Sequence, residues 1–291
     1  MKKKTIVALG FAVLLLLVTF CSPLLAEKWS FAVIADNRSA FDSYRNVLQE
    51  IKTMSVNPDP RFAPIEFILA CGDLDPVDRN YDIYAEVFES DAPAFFPVRG
   101  NHEGRRDVRF ILNEILPAYG NRIHTLSPGS VNYYTDWKNV RLIVLDQYFD
   151  SRKGFDGKAT LTWLENAIQA ATDADHVFIT FHEPYSTMSL IHDAFWNLLL
   201  EHRDKVRAVF AGHTHWFDRE RFPDQEGGIY YINAGNAGNS KHSDRSQTIV
   251  EVMVDGPVVH FRALKAPDGT NRFKVTDRWQ TEAPDNGRPV N

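Results

Sequence analysis

Five times along this chain a short apolar run stops at a cluster of Asp, Asn or His. Trp29 to Ala35 stops at Asp36-Asn37-Arg38, and Ile65 to Cys71 at Gly72-Asp73-Leu74-Asp75. Ala94 to Val98 runs on to Gly100-Asn101-His102-Glu103, His176 to Phe181 leads into His182-Glu183-Pro184, and Val206 to Phe210 into Ala211-Gly212-His213-Thr214-His215. Apolar runs this short, bounded by glycine or polar residues, read as buried strands. Helical patterns lie between them. Phe41, Tyr44, Val47, Leu48 and Ile51 follow helical spacing with Ser39 as the cap, and Tyr81 to Phe88, Val108 to Leu116, Leu161 to Ala170 and Phe195 to Leu200 read the same way. Strand–helix alternation over two thirds of the chain, followed mostly by strands, constrains the fold to an α/β architecture of two packed mixed sheets. In open sheets of this kind, ligands gather at the carboxyl ends of the strands.

The remaining runs fit that plan. Val131 to Thr135 and Val140 to Leu145 form a hairpin around Trp137-Lys138-Asn139; Ile229 to Ile232 is a strand; Thr248 to Val254 pairs with Val258 to Leu264 through Asp255-Gly256. From residue 265 the chain is rich in Pro, Gly, Asp and Asn, with one short strand around Arg272 to Val275 and a loose tail to 291. The start has a different character. Lys2 to Lys4 precede the apolar run Ile6 to Phe20 and a small-residue end at Ala26, the pattern of a secretory leader over residues 1–26. The chain is therefore expected to be exported, with an uncleaved anchor or lipid attachment at Cys21 as alternatives. Cys21 and Cys71 are the 2 cysteines, so cleavage would leave Cys71 alone, a small hydrophobe at a strand end. A net charge of -6 argues against a nucleic-acid partner.

Asp36, Asp73, Asn101, His182, His213 and His215 all fall at strand ends. Residues two apart on an extended strand end point the same way, which lets His213 and His215 face one volume. Carboxylates, imidazoles and an amide oxygen suit divalent first-row cations such as Mn, Fe or Zn. Asp73, with two oxygens and glycine before it, is the natural bridge between two of them.

The order of the clusters resembles the calcineurin-like metallophosphoesterases, whose pattern runs Asp-x-His, Gly-Asp, Gly-Asn-His-Glu/Asp, a lone His, and Gly-His-x-His. The resemblance covers roughly residues 29 to 264. It implies a four-layer α/β/β/α sandwich of two mixed β-sheets flanked by helices, with residues 27–264 as the catalytic domain. It also implies that Asp36 and His215 hold a first metal, that Asp73 bridges, and that Asn101, His182 and His213 hold the second. His102 would meet the leaving oxygen or steady the phosphate. The implied reaction is hydrolysis of a phosphate mono- or diester, small or macromolecular, by a hydroxide held on two divalent transition-metal ions.

One position departs from the pattern. Arg38 stands where the family has His, and arginine offers only donors, so it cannot ligate. A related branch that lacks the same His supplies a Tyr three residues after the bridging Asp; here that residue is Pro76. Arg38 is read either as a catalytic contact to the substrate phosphate or as the partner of Asp75 or Asp78. The thinned ligand set also allows a different function, a phosphate-ligand binding protein that no longer turns over. His124, His176, His192, His202, His242 and His260 match no motif and read as surface or satisfied core residues. Glu103 reads as structural, and residues 233–238 as either amide lining of the pocket or a turn-rich strand exit.

Overall fold

The computed structural model describes residues 28–149, 158–184, 192–223, 227–238 and 245–281. The proposed leader with Cys21, as well as His242, fall outside these residues. The elements run β1 (Trp29–Ile34), α1 (Phe41–Val56), β2 (Ile65–Ala70), α2 (Val77–Phe88), β3 (Ala94–Pro97), α3 (Arg105–Phe110), β4 (Ile123–Thr125), β5 (Tyr133–Trp137) and β6 (Val140–Val144). They continue with α4 (Lys158–Gln169), β7 (His176–Thr180), α5 (His192–Glu201), β8 (Val206–Ala211), β9 (Phe217–Phe222), β10 (Ile229–Ala234), β11 (Ser246–Asp255), β12 (Val258–Pro267) and β13 (Lys274–Gln280). One sheet has the order β13-β12-β11-β1-β2-β3, the other β4-β5-β6-β7-β8-β10-β9. Each is mixed: β1, β2 and β3 are parallel, as are β6, β7, β8 and β10, with antiparallel strands outside them.

The period of two along each strand sorts its side chains between layers. In the second sheet, Phe178 and Phe210 point inward and meet Phe31 of the first sheet, with ring centroids 5.3 and 6.2 Å away. Val177, Ile179 and Val209 point outward and pack with Leu164 and Ile168 of α4 and Phe195 and Leu199 of α5. Helix α1 turns Tyr44, Val47, Leu48 and Ile51 into the core that includes the first sheet. Two mixed sheets flanked by helices result. Each fully buried phenylalanine contributes roughly 1.5–3 kcal/mol relative to an exposed one.

Several local expectations change. Ser39 does not cap α1: Ala40 holds that position and makes no side-chain cap bond, because Asn37 to Ala40 closes as a turn. Helix α2 begins four residues earlier than Tyr81, directly after Pro76. The helix expected from Val108 starts at Arg105, where the Asp107 carboxylate accepts from Gly104 N–H, and it widens to a π-turn over Ile111–Ile115. Strand β12 runs past residue 264 to Pro267. The last strand lies at 274–280, not 272–275, and hydrogen-bonds to β12. Strands β4 and β9 were not expected; β9 reads Phe-Asp-Arg-Glu-Arg-Phe, too charged to show as a buried run.

That charged strand closes one side of the sandwich. Arg219 on β9 of one sheet makes two bonds, of 2.6 and 3.3 Å, to Asp277 on β13 of the other, and its guanidinium lies 4.8 Å over the Trp279 ring. The Arg219 bond holds the Asp277 carboxyl below the usual carboxylate range. A carboxyl lowered in the folded state contributes stability that is full above its unfolded value, near 4, and is lost as pH falls through the lower folded value. Asp277→Asn is therefore expected to melt below the parent chain at pH 7, and the gap is expected to shrink steadily below about pH 4. Paired thermal melts across that range check it.

Candidate metal centre

The carboxyl ends of β1, β2, β7 and β8 and the loop after β3 converge on one volume. Backbone bonds lace the loops together: Asp36 N–H donates to Gly72 O at 3.0 Å, Arg38 N–H to Asp73 O at 3.0 Å, and Gly212 N–H to His182 O at 2.9 Å. Side-chain bonds at the site also cross between the sheets. His213 N–H donates to Asp36 Oδ2 at 2.8 Å, and His182 Nδ1 donates to Cys71 O at 2.8 Å. Asp36, Asp73, His213 and His215 all have positive φ, at 57°, 55°, 71° and 62°. Non-glycine residues held there cost about 1–3 kcal/mol each and collect at functional sites. Gly72 and Gly212 have no substitute: a Cβ on Gly72 would sit 2.5 Å from His182 Nδ1, and one on Gly212 2.7 Å from Asp36 Oδ2.

Two groups of donor atoms share Asp73. In the first, ligand atoms of Asp36, Asp73 and His215 lie within 4.8 Å of one another. Asp36 is buried, and its Oδ1 has no hydrogen-bond partner although His215 Nε2 stands 3.4 Å away. In the second group, His182 Nε2 is 3.2 Å from Asp73 Oδ1 and 3.1 Å from Asn101 Oδ1, and His213 Nδ1 is 3.0 Å from the same Asn101 oxygen. The tautomer of His182 follows from its other nitrogen. The Cys71 carbonyl can only accept, so Nδ1 carries the hydrogen and Nε2 of the neutral ring presents a lone pair. That lone pair faces two oxygens. A proton or a cation must lie between them, and a cation satisfies all of these atoms at once.

Local electrostatics agree with that donor set. Burial pushes the Asp73 carboxyl up from its ordinary value, against the opposing pull of His182. Burial, reinforced by His182, pulls His213 below the usual imidazole range and favours its neutral, ligating form. Contact with the Asp36 carboxylate raises His215. A cation in either group would offset the cost of the two buried acids.

Seven of the eight candidate residues share this volume. His102 stands at its rim, 39% exposed, with Nε2 3.7 Å from Asp73 Oδ2 and its backbone N–H bonded to Asp73 Oδ1 at 3.1 Å. Arg38 is anchored at the edge of the volume, its Nε donating to Asp75 Oδ1 at 3.1 Å. Asp78 pairs with Arg106 instead. Glu103 is structural, accepting backbone N–H groups from Asp73 at 3.1 Å, Leu74 at 2.6 Å and Gly100. Burial pushes its carboxyl up to about 8, with Asp73 adding to the push and the Gly100 and Leu74 amides pulling against it. In 233–238 the amides serve the turn: Asn233 donates to Gly212 O at 2.7 Å and accepts from Gly235, and Asn236 accepts from Gly238. His176 is a satisfied core histidine, bonded at both ring nitrogens.

Sequence reasoning missed the support behind His182. Gln147 Oε1 accepts from the backbone N–H of both His182 and Glu183, at 3.1 and 2.7 Å. Tyr148 Oη donates to Glu183 Oε1 at 2.7 Å, and Arg99 pairs with Asp146 and lies over the Tyr148 ring. The signal was present: Asp146-Gln147-Tyr148 follows the apolar β6 just as the other clusters follow their strands.

A sequence model of the calcineurin-like phosphoesterases matches residues 30–217. A sphingomyelin phosphodiesterase from Homo sapiens is 28% identical over 160 residues, 45% of this chain and 25% of that protein, so the match spans about a quarter of the relative's length. Among solved structures, a wild-type Vps29 with Zn from Entamoeba histolytica is similar over 86% of this chain and 98% of its own, at 14% identity and TM-score 0.43. YfkN from Bacillus subtilis, a calcineurin-like phosphoesterase, is similar over 91% and 94%, at 15% identity and TM-score 0.41.

Proposed function

The chain belongs to the calcineurin-like phosphoesterase family, and on that premise we propose that it is an exported hydrolase of phosphate mono- or diesters that works with two divalent transition-metal ions, Mn, Fe or Zn. The observation that carries the reading is the pair of donor groups sharing Asp73, with the His182 lone pair set against two oxygens. Asp36 and His215 would hold one ion, Asn101, His182 and His213 the other, and Asp73 both. The ions would supply Lewis acidity towards the phosphoryl oxygens and a lowered pKa for water. The chain's own groups do the rest. His102, half-exposed beside Asp73, is positioned to give a proton to the departing alkoxide. Arg38, anchored through Nε to Asp75, keeps its two terminal nitrogens for a phosphoryl oxygen. Glu103 and Gln147 fix the loops that carry the ligands.

The name of the human relative favours a phosphodiester as substrate. Residues 27–264 are the proposed catalytic domain, and no helix among the described residues is long and apolar enough to cross a membrane. The second reading, a binder without turnover, draws on the first donor group, which has three protein residues where the family motif supplies a further His. Chelation of the full chain followed by reloading with Mn or Zn separates the two, using aryl phosphate mono- and diesters as probes. Two equivalents of metal with restored hydrolysis support the enzyme. One equivalent or none, with no turnover, supports the binder and overturns the proposal.

A further inference from the structure

At the end of the second sheet remote from the metal centre, β8 and β10 begin and β9 ends around a cavity of about 50 Å³. Arg203, Arg207 and Arg221 line it, together with Gly227, Gly228 and Tyr230. Arg203 and Arg207 need an explanation, because acids outnumber bases in this chain and most arginines elsewhere are matched to one. Arg45 pairs with Glu86, Arg61 with Asp59, Arg141 with Asp136, Arg219 with Asp277 and Arg262 with Glu251. Arg203 and Arg207 have no such carboxylate among the described residues; Asp204 and Asp175 act on Arg207 only through space.

Arg207 is held by a neutral group instead. Its Nε donates to His176 Nδ1 at 2.9 Å, and His176 Nε2 lies 2.7 Å from Gly256 O. A carbonyl oxygen only accepts, so Nε2 carries the hydrogen and Nδ1 is the lone pair that Arg207 needs. The imidazole is therefore uncharged, and it fixes the guanidinium without compensating it. Burial also pulls the Arg207 pKa down, and the more distant Asp204 and Asp175 carboxylates only partly oppose it. Tyr230 Oη is committed to Gln280 O at 3.0 Å and adds no donor.

We propose that this cavity is an anion site that takes inorganic phosphate, bound by the guanidinium forks of Arg203 and Arg207 beside Arg221. Planar guanidinium donors match tetrahedral oxyanions bidentately. At about 10–15 Å³ for each water, the cavity has room for roughly four waters, which suits one compact oxyanion. The six residues of β8, about 20 Å of strand, separate it from His213 and His215, so it is distinct from the metal centre.

Isothermal titration of inorganic phosphate into the full chain, with Arg203→Gln and Arg207→Lys variants alongside, tests the site. Any phosphate taken up by the metal centre is common to all three proteins, so their difference isolates the arginine cavity. The parent chain is expected to show an event that Arg203→Gln weakens at least tenfold, with unchanged melting in phosphate-free buffer. Arg207→Lys, which keeps the charge and loses the fork, is expected to weaken it as well. Phosphate binding identical in the parent and Arg203→Gln, or none beyond that shared with the metal centre, overturns the proposal.

Discussion

Asp73→Asn is expected to lower phosphoester hydrolysis by at least about 10³-fold, the scale of losses when one member of a catalytic unit is removed. Metal uptake is expected to fall from two equivalents to one or none, because Asp73 is the residue both donor groups share. The metal-free protein should not suffer. Burial already raises the Asp73 carboxyl, so a neutral amide of the same shape relieves desolvation while its oxygen still accepts from His102 N–H. A thermal midpoint within about 4 °C of the parent, set against the collapse of activity, distinguishes a ligand from a scaffold residue. A large drop in the metal-free midpoint would mean that Asp73 holds the fold instead.

Glu103→Ala is expected to do the opposite. Its two carboxylate oxygens terminate three buried backbone N–H groups at the turns after β2 and β3. Each donor left unsatisfied costs about 1–3 kcal/mol, so a total of at least about 3 kcal/mol is expected in chemical denaturation. The same turns aim Asp73 and Asn101, and groups standing behind metal ligands typically alter affinity by 10–100-fold. Weaker metal binding together with lost stability is the expected pair of results. Loss of metal alone, at parental stability, would contradict this role.

Much of the site was legible because its chemistry needs rare residue types at fixed places. A His-x-His after a glycine and an Asp after a glycine stand out against apolar strands, and the topology brings them together at the carboxyl ends. Helix starts were less visible. Ser39 had the right side chain one residue too early, and the Asp75-Pro76 step started α2 without a cap signal. Edge strands hid for another reason. β9 and β13 carry arginine, aspartate and lysine because one face meets water and the other meets an ion pair, so neither shows a clean apolar alternation. Contacts made by backbone atoms could not be read at all. The Cys71 carbonyl that sets the His182 tautomer lies 111 residues away in sequence, and no side chain marks it.

Anomalous diffraction from crystals of the full chain soaked in Mn tests the central claim most directly. Two peaks about 3.5–4 Å apart are predicted, one among Asp36, Asp73 and His215, the other among Asp73, Asn101, His182 and His213. No peak in this volume, or a single one that does not touch Asp73, would contradict the account.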